Sequence, residues 1–178
     1  ADMNNALEKD SKAKNAADAY LYMSLAYGAL KLYTKSIEIN NIVINNYKDY
    51  SYLYLAYHNN GVNFTDLTQY ENALKQFESA TSLNPDYADS WVGKGYALMY
   101  LDRFDEALVA FEKAIKVNSA DPTPWYNKAC IYAKENKKAE AIESLKRALA
   151  HTPAFKHNAP HDIWLNNIRE EESFKALL

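Results

Sequence analysis

Residues 54–153 repeat themselves at an offset of 34. Tyr57, Trp91 and Trp125 share one column, and Gly61, Gly95 and Ala129 share the next. Phe64, Leu98 and Tyr132 follow, then Ala73, Ala107 and Ala141. Phe77, Phe111 and Leu145 form a fifth column, and Ala80, Ala114 and Ala148 a sixth. Pro85 and Pro153 close the first and third copies, with Ser119 between them. Many ungapped columns at one period of this length mark an array in which each copy is one supersecondary unit. Apolar residues inside a copy recur at spacings of three and four, so each copy reads as two helices of about 14 residues.

The columns alternate bulky and small residues, and packing gives the reason. The aromatics of the first helix fill space against the second. The Gly61/Gly95/Ala129 column and the two alanine columns let helix backbones approach closely. One copy alone exposes an apolar face and is stable only when stacked on a neighbour. Asn84-Pro85 and Asp121-Pro122 mark breaks between copies, because proline lacks a backbone donor and restricts its predecessor. In the middle copy Asp105 and Glu106 open the second helix and Lys113 and Lys116 lie near its end, the favourable order for the helix dipole.

This divides the chain into units at 51–85, 86–119 and 120–153, preceded by a degenerate helical hairpin over 17–50. There Tyr20, Met23, Tyr27 and Leu30 keep helical spacing, as do Ile37, Ile44 and Tyr47. Ser36 and Asn40 stand where later units carry Ala and Phe, and the register to the next unit is three residues too long. The Ile- and Val-rich run 40–46 is read as helix, since a lone strand has nothing to pair with. Residues 1–16 are polar, a tail or the end of an upstream helix, with Ala6-Leu7 like the pair that ends later units. Residues 154–178 leave the period; Pro160 interrupts a helix, and Ile163, Trp164, Ile168, Phe174, Leu177 and Leu178 supply apolar anchors for a cap on the last unit.

The spacing of Trp91, Gly95, Leu98, Phe104, Ala107, Phe111 and Ala114 resembles the tetratricopeptide repeat. Trp125, Ala129, Tyr132, Ala141, Ala148 and Pro153 repeat it, and Tyr57, Gly61, Phe64, Tyr70, Ala73, Phe77, Ala80 and Pro85 give a third copy. The resemblance implies an all-α fold, a right-handed superhelical solenoid of helix–turn–helix repeats with a C-terminal capping helix. It also implies a concave groove that docks a peptide, a helix or a partner domain. First-helix residues outside the packing columns are then the groove candidates: Leu55, His58, Asn59, Val62, Val92, Tyr96, Met99, Tyr100, Tyr126, Asn127 and Cys130. Some family members grip a C-terminal carboxylate with Lys, Asn and Arg on successive first helices. The matching places hold His58, Val62, Gly93, Thr123 and Asn127, which argues against such a clamp here.

The function is expected to be non-enzymatic: a protein–protein interaction scaffold that binds a peptide or helical segment of a partner. The alternative is a structural module that self-associates through its N-terminal repeat end into a homo-oligomer. No P-loop, dinucleotide glycine pattern, GxSxG or HExxH occurs, and no cofactor or metal is expected. His157 and His161 are four apart, but Pro160 lies between them. The Asp/Glu pairs read as helix-end charges and a solvated face. Cys130 is the one cysteine, so no intrachain disulfide forms. A net charge of −3 disfavours nucleic acid as the main partner, although Lys9, Lys12 and Lys14 make a small basic cluster. No apolar run approaches the ~18 residues of a membrane span. The cytoplasm is the favoured compartment, and the Ala-Asp-Met start is also compatible with a removed signal peptide.

Overall fold

The computed structural model describes the backbone of residues 2–152 and 154–178, and the side chains of 11–152 and 154–178. Pro153 and the side chains of Ala6, Leu7 and Lys9 lie outside the described residues. Among the described residues the chain is all-α and has no strand. It forms two compact units, residues 1–85 and 86–178.

The first unit holds α1 (Asp2–Ala29), α2 (Tyr33–Asn46), α3 (Leu53–Asp66) and α4 (Tyr70–Leu83). The polar residues 2–16 are helical, continuous with those that follow. The Ile/Val run that competed as a strand is the second half of α2. The helices pair in sequence order, α1 with α2 and α3 with α4. Ala17 and Leu21 of α1, Val43 of α2 and Leu53 and Ala56 of α3 are buried together, with Tyr20, Tyr47, Tyr50 and Tyr57 packed around them. The Tyr50 hydroxyl donates to Asp18 across this cluster. Burial, then Asp18, pushes that phenol well above its usual range.

The second unit holds α5 (Ala88–Tyr100), α6 (Phe104–Val117), α7 (Thr123–Lys134) and α8 (Lys138–His151). The expected capping helix takes the form of short helical segments: α9 (Phe155–Asn158), 3-10 turns at Ala159–His161 and Ile163–Ile168, and α10 (Glu172–Lys175). Leu165, Ile168 and Phe174 of this tail are at most 1% exposed, so it does cover an apolar face. Pro160 and the extended Asp162 explain why no longer helix forms.

The turn inside each hairpin repeats as faithfully as the side chains. Thr68, Asp102 and Asn136 are all left-handed, with φ of 56°, 56° and 59°. The next residue donates its N–H back to the first helix each time: Gln69 to Phe64, Arg103 to Leu98 and Lys137 to Tyr132, at 2.8–3.0 Å. These bonds satisfy carbonyls left free at the helix end. The degenerate hairpin has the same turn, with Lys31 at φ 58° and Leu32 bonding to Tyr27. Thr68 and Lys31 are 37 apart rather than 34, and so are the starts of α2 and α4. The extra residues therefore sit in the linker 47–52, which is longer than 84–87 or 118–122.

Helix pairs close on the large–small columns. A Cβ built on Gly95 would stand 2.5 Å from Cε1 of Phe111, and one on Gly61 would stand 2.6 Å from Cε1 of Phe77. Both rings are at most 1% exposed and have no room to retreat. Gly95→Ala, the smallest possible addition, should therefore cost about 1–3 kcal/mol in urea unfolding. Thr68→Gly should act oppositely. A β-branched residue in the left-handed region carries strain, and its relief should raise stability by about 1 kcal/mol in the same measurement.

Candidate binding surface

The first helices α3, α5 and α7 carry the side chains that sequence reasoning assigned to a groove. The structure treats them differently in the two units.

In the first unit, Leu55 is half-buried against the α1–α3 core. His58 is half-buried with its ring against Phe77, 5.7 Å between centroids. Asn59 is half-buried and Val62 is exposed. His58, Asn59 and Val62 line one cavity of 330 Å3 between α1 and α3, together with Leu25, Gly28 and Asp66. Its floor is polar. The Ser24 and Ser36 hydroxyls and the Asn63 amide sit there, and all three residues are buried. The Asn63 amide donates to the Ser36 hydroxyl at 2.8 Å, and that hydroxyl donates to the Ser24 carbonyl at 2.8 Å.

Outside the cavity lining, the Asn40 amide donates to Asn60 at 2.9 Å, and Asn60 donates to Asn41 at 3.0 Å. Ser24 and Asn40 precede Gly61 and Phe77 by 37 residues, so they occupy the places of the glycine notch and its ring. A hydrogen-bonded network thus fills the space that an aromatic fills elsewhere. The pair of substitutions visible in the sequence at Ser36 and Asn40 was the signal for it.

In the second unit, Val92 and Tyr96 are half-buried and Tyr100 is exposed, with the Tyr96 and Tyr100 rings 4.7 Å apart. Three expected groove residues are not surface residues. Met99 and Cys130 are each 2% exposed and Asn127 is 9% exposed. At Cys130 the reason is the tail. Asp162 takes the Tyr126 hydroxyl on Oδ2 at 2.9 Å and caps its own turn by accepting the Trp164 N–H at 2.9 Å. The Cys130 thiol lies 3.9 Å from the same Oδ2. Phe155 stacks on Tyr126 at 4.7 Å, and Trp164 meets Tyr100 edge-on at 5.6 Å. Asn167 donates to the Ala133 carbonyl at the end of α7. The tail therefore consumes what the sequence offered as groove on α7.

These contacts set the chemistry of the site. Burial, then the Asp162 carboxylate, pushes the Cys130 thiol well above its usual range, and the Tyr126 phenol rises for the same two reasons. Neither is a nucleophile at neutral pH. His157 and His161 have ring centroids 6.4 Å apart. Among the described residues no group of three or more His, Cys, Asp or Glu is placed to hold a metal ion. No helix of the described residues is long and apolar enough to cross a membrane.

Helix hairpins joined by one recurring turn, with Phe set into a glycine notch, define the repeat in three dimensions. Family models described as tetratricopeptide repeats match residues 54–87, 88–121 and 122–155, more than half of the chain. The chain belongs to the tetratricopeptide-repeat family. The matches begin after the α1–α2 hairpin, where the serine–asparagine network replaces the family's packing residues.

No curated protein sequence matches the chain. Among solved structures it is similar to a crystal structure of MamA protein, at TM-score 0.74 and 17% identity over 91% of this chain and 90% of that one. It is also similar to MamA 41-end from Desulfovibrio magneticus RS-1, at TM-score 0.73 and 17% identity over 90% and 88%. A further crystal structure of MamA matches at TM-score 0.69 and 21% identity over 86% of each chain. At these identities the likeness is one of fold. It extends beyond the three matched tetratricopeptide repeats.

Tyr126→Phe keeps the ring on Phe155 and removes only the hydroxyl bonded to Asp162. It should cost about 1–2 kcal/mol and raise amide hydrogen exchange across 159–168. A tail that keeps its protection would show that the apolar anchors alone hold it. In the folded chain, Cys130 should react with a thiol-specific disulfide reagent at least about tenfold slower than a free cysteine, with full reactivity on unfolding.

Proposed function

We propose that this chain is a non-enzymatic scaffold that holds a peptide or helical segment of a partner protein on the first-helix face of residues 1–85. The observation that carries this is the contrast between two faces built from equivalent positions. Tyr126 and Cys130 are engaged by Asp162 of the chain's own tail, whereas His58, Asn59 and Val62 line an open cavity. Asn59 can pair with a peptide backbone, and Val62, 42% exposed beside Leu25 at 52%, offers apolar contact. Val92, Tyr96 and Tyr100 are a second contact area, and Leu55 supports the first from behind.

The test is affinity capture from the source cell, followed by binding measurements with the captured partner. The double variant Asn59→Ala, Val62→Asp should weaken binding by at least about tenfold with an unchanged helical circular dichroism spectrum. Unchanged binding would sink this reading.

Self-association through the N-terminal end is the second reading. It rests on Tyr22 and Leu30, which are 74% and 69% exposed on α1. Light scattering over a concentration series should then show a rising mass that Tyr22→Glu abolishes. A monomer at all concentrations overturns it.

A further inference from the structure

We infer that the cavity between α1 and α3 is a receptor for a long-stemmed cationic side chain, an arginine or lysine presented by the partner segment. This rests on the docking surface proposed above and gives it a chemistry.

The cavity combines two kinds of wall. Leu25 and Val62 are large, apolar and exposed, the right lining for an aliphatic stem. Asp66 supplies the only formal charge among the lining residues, and no Lys or Arg lines the cavity. Asp66 is exposed and has no ion-pair partner among the described residues. Lys35, on the neighbouring helix α2, is turned instead onto the ring of Tyr27, 5.9 Å from its centroid. The remaining polar lining consists of amides, hydroxyls and one imidazole, and it includes no Lys or Arg side chain to oppose an ammonium or guanidinium. An anionic side chain would meet a carboxylate and no counter-charge. A purely apolar one would leave the Asp66 carboxylate without a counter-charge.

Gly28 points the same way. Its φ is not positive, so the backbone does not require glycine there. The equivalent places in the other hairpins hold Thr65, Met99 and Ala133. A Cβ at Gly28 would touch Asn63 Oδ1 at 3.4 Å and Ser36 Oγ at 3.7 Å, ordinary contact distances. Alanine fits at this position, so close packing does not demand the glycine either. Its missing side chain instead keeps the cavity open down to its floor.

The experiment titrates n-butylguanidinium into the 15N-labelled chain, with 1-pentanol and pentanoate as neutral and anionic probes of similar length. Butylguanidinium should shift the amides of Gly28, Val62, Asn63 and Asp66, with weaker binding at high salt. The isosteric Asp66→Asn should weaken it by about fivefold, the upper end for one exposed ion pair. Gly28→Leu, which fills the cavity from α1, should abolish it. Equal shifts with 1-pentanol, indifference to Asp66→Asn, or no shift at all would each overturn the inference. Suppose that butylguanidinium fails while the Asn59/Val62 variant still loses the partner. The cation assignment then falls and the docking surface stands. Suppose instead that butylguanidinium binds and that variant still holds the partner. The cavity is then a cation site, and the docking surface lies elsewhere.

Discussion

A phenylalanine ring lying where a glycine has no side chain is the contact on which these hairpins depend. Phe77 sits over Gly61 and Phe111 over Gly95, so close that a single methyl would overlap the ring. The ring needs the notch, and the notch leaves a void without the ring. The third copy keeps the sum by changing both partners, with Ala129 gaining the methyl that Leu145 makes room for. Both are 0% exposed, so the exchange conserves filling rather than residue type. The turn geometry accompanies this contact without depending on it. Two helices held so near each other need a short reversal, and one left-handed residue supplies it in every hairpin.

The α1–α2 hairpin keeps the reversal and abandons the contact. With Ser24 and Asn40 in those places, filling is done by hydrogen bonds that run through Ser36, Asn60 and Asn63. Such a network is costly when incomplete, and Asn40 Oδ1 is buried without a partner, a cost of about 1–3 kcal/mol. It also changes what the surface can do. Polar groups that would be shielded by an aromatic ring form the floor of a cavity reachable from outside. The residue types that weaken the repeat signal are therefore those that give this part of the molecule its chemistry.

That pairing explains what the sequence made legible. The period, the hairpins and the packing columns follow from residue size alone, and size is conserved at each column where helices touch. Ser36 and Asn40 announced an altered hairpin, but their partners Asn60 and Asn63 lie within a clear repeat and carry no such mark. The groove positions were legible only as positions on a helix. Met99, Asn127 and Cys130 sit on the expected face of their helices and are nonetheless buried. What covers Cys130 is Asp162, a non-local contact that local spacing cannot report. Asp162 was visible as the residue that restarts structure after Pro160. Its second oxygen, turned to Tyr126, was not.

The end of a repeat array draws on first-helix residues to close itself. A last hairpin has no following copy, so its apolar face must be hidden by something else. Here a tail does this with Leu165, Ile168 and Phe174, all buried. Asp162 fixes the register by taking one donor from its own turn and one from Tyr126. A first-helix side chain is thus spent on closure. The equivalent residue two copies earlier is His58, which has no tail to hold and lines an open cavity. His58, Asn59 and Val62 take no part in the contacts with Asp162 that close the array, so they can vary without loosening it. Changing Tyr126 would be felt as a loss of stability, because its hydroxyl is what holds the second oxygen of Asp162.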